Sequence, residues 1–230
     1  MNRGLPRYPV MHLDTMHHKV ANPKLASTIY AFDVPLHESL PFATSAGDGI
    51  NGVRVVWNFC QKDRAGNNPV AIAKLWHDQN WLAANPKDPL AICKKAFEEY
   101  DRLKAEIQNG RGSMANGSGV KTTDTRKTAV LIALGHKLLG WRRDGDVVTW
   151  LLHQASAADA ALYDDRDLYR KLPSEPISYA KGAILGHKQM VKAIKEVQYA
   201  RVVHGNRVAT IGKDISKKDL EIIERLLYRK

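Results

Sequence analysis

The sequence predicts a helix-rich α+β fold, and three observations carry that reading. Two β-prone runs lie early in the chain, several amphipathic segments open on Asn-Pro, Asp-Pro or Glu-Pro start signals, and a hairpin signal follows the last long helical pattern. Together they predict an N-terminal strand pair with two helices over residues 1–108, a flexible Gly-rich linker or loop over 109–125, and a basic helical subdomain with a β-hairpin over 126–230. Three helices followed by a hairpin is also the element order of a winged helix.

Residues 27–34 and 53–59 are rich in β-branched and aromatic side chains, which suit a pleated surface. Gly47, Gly49 and Gly52 punctuate the connection between them. Asn68-Pro69 pairs a capping side chain with a proline preset for the first helical position, and Ile72, Leu75, Trp76 and Leu82 then share a face. Asp88-Pro89 repeats the signal ahead of Leu90, Cys93, Phe97, Tyr100, Leu103 and Ile107, spaced by three and four residues. Four glycines and many small polar residues between 109 and 125 show no apolar periodicity and read as the linker. Beyond it, residues 126–141 read as one helix, and Asp146 as the cap of a second that carries Val147, Trp150 and Leu151. Ser174, Glu175 and Pro176 open a third helix running to about residue 198. Residues 200–204 and 207–211 flank Gly205-Asn206, a hairpin turn pair, and a last helix begins near Ser216.

Positive charge is unevenly placed. Residues 121–230 hold 21 Lys and Arg against 13 Asp and Glu, a surplus of +8, whereas residues 1–120 hold 14 against 11. A surplus concentrated in one part of a chain raises the local potential and attracts polyanions. Within it, Lys181, Lys188, Lys192 and Lys195 fall inside an arc of roughly 60° on a helix, beside the apolar stripe Ile177, Ala180, Ile184, Val191 and Ile194. The expected hairpin adds Arg201 and Arg207; Arg142 and Arg143 are secondary candidates, and Lys121 and Arg126 would act with the linker as an arm. Such a set suits contacts with the phosphate backbone, which position a nucleic acid without reading its sequence.

Gly186-His187-Lys188-Gln189, followed by Lys192-Ala193, resembles the Gly-x-Lys-Gln-x-x-Lys-Ala stretch of ribosomal kink-turn RNA-binding proteins. The likeness is confined to residues 186–203 and implies RNA rather than DNA as partner, with Gly, Lys and Gln opening a helix against bent RNA.

Other chemistry is poorly supported by the residue pattern. Cys60 and Cys93 stand alone, which excludes a Cys-rich zinc ribbon or a disulfide scaffold and points to a reducing, cytoplasmic compartment. Residues 117–123 hold glycines, a lysine and threonines, but Val120 separates Gly119 from Lys121 where a phosphate-binding loop needs them adjacent. The nine histidines show no metal-ligand spacing, and no cofactor or metal is expected. No apolar run approaches the roughly 20 residues that span a bilayer, and residues 1–18 lack the apolar core of a signal peptide. The sequence therefore predicts a non-catalytic nucleic-acid-binding protein, DNA or RNA undetermined, working as one subunit of a nucleoprotein complex with other proteins and without a membrane. The competing expectations are an assembly scaffold for acidic proteins and a Mg²⁺-dependent nuclease using Asp164, Asp165 and Asp167.

Overall fold

A computed structural model of the chain describes residues 17–34, 36–43, 53–60, 67–110 and 118–204, with side chains given for a subset of them. The elements are, in order, β1 His17–Val20, α1 Pro23–Ala31, β2 Leu36–Ala43, β3 Val53–Cys60, α2 Pro69–His77, α3 Gln79–Ala84, α4 Pro89–Asn109, β4 Gly119–Thr122, α5 Thr125–Ala133, β5 Leu138–Asp144, β6 Val147–His153, α6 Ala157–Asp164, α7 Leu168–Lys171 and α8 Pro176–His204. The class is helix-rich α+β, as the sequence predicts. Its strands form two small antiparallel sheets, ordered β1-β3-β2 and β4-β6-β5.

The helices that open on proline are where the caps place them. Asn68 accepts from the amides of Val70 and Ala71, and Asp88 from that of Leu90. The same device starts α1, where Asn22 accepts from Lys24 and Leu25 ahead of Pro23. Residues 27–31 are therefore helix, not strand: the cap and proline outweigh the β-prone composition, and Asp33, at φ 58°, turns the chain out afterwards. In place of a strand pair, β3 is flanked on both sides, with Val20 opposite Trp57 and Leu36 opposite Phe59.

Two further expectations are corrected. The span read as linker contains β4, which pairs with β6 with Thr122 opposite Trp150, and it supplies Asp124 as the N-cap of α5; residues 111–117 lie outside the described residues. The helix expected over 126–141 stops at Ala133. Gly135 takes φ 98°, its amide reaches the carbonyl of Ile132, and that of His136 reaches Leu131, the paired bonds of a Schellman ending that glycine makes cheap. The chain then forms β5 and β6, a hairpin turning at Gly145-Asp146, where a capped helix was expected. Val147, Val148, Thr149 and Trp150 suit a strand, and Trp141 faces Trp150 across the pair with ring centroids 5.6 Å apart.

The C-terminal unit thus has a hairpin, but at 138–153, ahead of the last described helices. Residues 200–204, expected as a strand, are the last turn of α8, since no glycine or proline interrupts 187–204. The strand expected at 207–211 and the helix from Ser216 lie outside the described residues.

One core cluster draws on both sides of residues 111–117. It joins Ile29, Trp57, Phe59, Trp76, Phe97 and Leu103 to Val130, Trp150, Leu168 and Ile184. Helix α8 packs on α1 and α4, and α4 also packs on α5, so the late helix is held by early ones. Trp57, Trp76, Trp141 and Trp150 are buried and serve the core rather than a stacking surface; Trp81 is half-buried. Among the described residues no helix is long and apolar enough to cross a membrane.

Candidate nucleic-acid interface

The lysine edge of α8 begins inside the protein. Lys181 is 9% exposed; its Nζ donates to the main-chain oxygen of Asp165 at 3.0 Å and lies 5.2 Å and 5.7 Å from the ring centroids of Tyr163 and Tyr169. Burial draws its ammonium below the usual lysine range, with Asp164 and Asp165 opposing that drift. Lys181 is therefore a packing cation at the α6–α7–α8 junction and offers nothing to a phosphate. One heptad later Lys188, and beyond it Lys192, are exposed. Lys195 and Arg201 lie on α8, but their side chains are outside the described set, as is Arg207 altogether.

A second group of cations meets around His187 of the same helix. Lys24 enters from the first turn of α1, Tyr100, Asp101 and Lys104 from α4, Arg126 from the first turn of α5, and His187 from α8. Asp101 bridges Lys24 and Lys104, the latter at 3.0 Å. Burial alone would raise the Asp101 carboxyl, but hydrogen bonds from Lys24 and Lys104 bring it below its ordinary value. Lys104 Nζ sits 4.7 Å and the Arg126 guanidinium 5.6 Å from the Tyr100 ring centroid. Lys24 lies 5.9 Å from the Phe97 centroid, and His187 meets the same ring edge-on at 5.2 Å. The His187 imidazole is pushed down to about 4 by burial first and then by Lys24, Lys104 and Arg126, so it is neutral at physiological pH.

Sequence reasoning singles out only Arg126 from this group. Lys24, Tyr100, Lys104 and His187 are far apart in the chain and converge through the packing of α1, α4, α5 and α8, for which a single sequence carries no local signal.

The remaining candidates are spread apart. Lys121 is exposed on β4. Arg142 and Arg143 are exposed on β5, Arg142 paired with Asp144, and Arg143 bonded to the Gly145 carbonyl at 2.9 Å and near Asp146. The acidic stretch considered for Mg²⁺ is divided among separate cations: Asp164 pairs with Lys127 at 2.6 Å, Asp165 with Lys171 at 2.7 Å, and Asp167 with Arg170 at 3.5 Å. The Asp165 carboxyl is lowered by the Lys171 hydrogen bond, then by the Asp167 amide. No group of three metal-ligating side chains occurs among the described residues.

Gly186, Lys188 and Gln189 sit in the middle of α8, so they do not open a helix as the kink-turn resemblance implies; Gly186 instead faces Ser27 of α1. No protein-family model, no curated protein and no solved structure matches the chain.

Proposed function

We propose that this protein binds nucleic acid without catalysing a reaction on it, through backbone contacts from the exposed edge of α8. It does so as a subunit of a larger nucleoprotein complex in a reducing, cytoplasmic compartment. The observation that carries this reading is that Lys188 and Lys192 are exposed on one helix edge, while Lys24, Lys104 and Arg126 gather about His187, the residue before Lys188. The +8 surplus of residues 121–230 supplies the wider field that would steer a polyanion to it.

The set of contacts is smaller than the sequence suggests. Lys181 is withdrawn from it by burial, and Arg142 and Arg143 spend charge on their own hairpin. Two lysines neutralising two phosphates give a log–log salt slope of about −1.8 on B-form DNA, and each further cation adds about −0.9.

Titration of labelled single- and double-stranded DNA and RNA at two salt concentrations, with and without Mg²⁺, tests the reading. Binding that weakens with salt and needs no Mg²⁺ is the expected result. Salt-insensitive or undetectable binding sinks it, and cleavage that requires Mg²⁺ would move the protein to the nuclease class.

A further inference from the structure

Like charges brought together oppose folding, so three cations gathered from residues 24, 104 and 126 call for a reason. Local pairing accounts for part of it. Asp101 holds Lys24 and Lys104, and the carboxylate of Asp124 is engaged by the amides of Arg126 and Lys127. On the neighbouring turns of α4, Glu99 and Glu106 are held by Arg102. Arg126 has no carboxylate partner among the described residues, and its side chain rests on Tyr100. His187, being neutral, adds no further positive charge. The junction is left with more positive charge than its own carboxylates offset.

We infer that this junction is a phosphate subsite: a phosphodiester group of the bound nucleic acid sits against Arg126 and Lys104, fixing where the strand meets the edge that begins at Lys188. The inference rests on the nucleic-acid reading above and adds to it a defined point of contact. A guanidinium lying on an aromatic ring keeps its N–H groups in its own plane, so it can hold the ring and present a fork to two phosphate oxygens. Lys104 stands on the same ring, and Lys24, tied through Asp101, adds a second ammonium. His187 of the junction directly precedes Lys188 of the edge, which leaves α8 about 100° further round the helix. A contact of this kind positions a strand and carries no sequence preference.

The test uses the full chain with labelled oligo-dT and a labelled DNA duplex. Arg126→Gln with Lys104→Gln should weaken binding to both at least tenfold at low salt. It should also flatten the salt slope by about 1.8 on duplex and about 1.4 on single strand. Arg126→Lys, which keeps the charge and loses the fork, should keep the slope and bind more weakly than the parent. In the parent protein, saturating oligo-dT should raise the His187 pKa from about 4, because a phosphate beside Lys24, Lys104, Arg126 and Asp101 offsets the cations that depress it. That titration is followed by imidazole NMR and decides the matter even where the double variant folds poorly. The subsite is overturned if the double variant binds with the parent's affinity and slope while Lys188→Gln with Lys192→Gln loses binding; the nucleic-acid reading then survives. It is likewise overturned if His187 titrates identically with and without bound oligo-dT. A parent protein that binds neither probe removes both readings together.

Discussion

Lys181 and Lys188 stand seven residues apart on one edge of α8, about two helical turns. They share a side chain and a direction from the helix axis, yet one is enclosed and the other open to solvent. Around Lys181, α6 and α7 bring Tyr163, Tyr169 and the Asp165 carbonyl, and the ammonium becomes part of the packing. Around Lys188 nothing comparable closes over the helix among the described residues. Periodicity fixes the angle at which a residue leaves a helix, but the neighbour standing at that angle belongs to the tertiary structure. A stripe that is uniform in sequence can therefore change its chemistry along its length.

Charge reversal breaks this contrast most forcefully. Lys181→Glu places a carboxylate beside Asp164 and Asp165 in a buried setting and should cost about 3–5 kcal/mol. Lys188→Glu should change stability by no more than about 0.5 kcal/mol. Urea denaturation of the two variants measures both, and equal costs would remove the distinction. Binding reverses the ranking: Lys188→Ala with Lys192→Ala should flatten the duplex salt slope by about 1.8, whereas Lys181→Met should leave it unchanged in the folded fraction.

The two glycines of the α1–α8 seam sharpen the comparison at smaller scale. A Cβ at Gly186 would lie 3.4 Å from that of Ser27, an ordinary contact, so Gly186→Ala should stabilise by up to about 1 kcal/mol through helix propensity. At Gly182 the added atom would lie 3.2 Å from the Ala31 Cβ and 3.5 Å from Tyr169, so Gly182→Ala should gain less or destabilise. Thermal melting ranks the pair, and a larger gain at Gly182 would show that the seam is loosest where it is drawn tightest. A separate test is pH dependence. The unfolded His187 imidazole takes up a proton near 6.5 and the folded one only near 4. Between those values the unfolded state binds more protons, so stability rises with pH across the window and falls on acidification. His187→Gln should flatten stability between pH 6.5 and 4, read from urea midpoints at several pH values.

Much of the helical framework is legible in the chain because its signals are local. Asn68-Pro69 and Asp88-Pro89 each combine a cap with a proline, and the helices begin there. Asn22-Pro23 is the same signal, masked by the β-prone residues that follow it. At 138–153 an apolar stretch was compatible with either period, and the deciding facts, the Gly135 ending and the pairing of Trp141 with Trp150, are a backbone angle and a cross-strand contact. The candidate surface divides the same way. Lys188, Lys192 and Arg126 are recognisable as cations in a basic region, while the burial of Lys181 depends on residues 163, 165 and 169. The meeting of Lys24, Tyr100, Lys104 and His187 depends on how four helices pack, which no spacing along the chain encodes.

Helix α8 is a single rod of 29 residues, about 43 Å long at 1.5 Å per residue. Its early turns are wedged against α1 at Gly182 and Gly186, and its later turns carry Lys192 and Lys195. A nucleic acid held at those later turns, as proposed, would pull on a lever seated where α8 meets α1 near Gly182 and Ala31. Load taken up at one end would thereby reach the seam that joins the first described helix to the last described one.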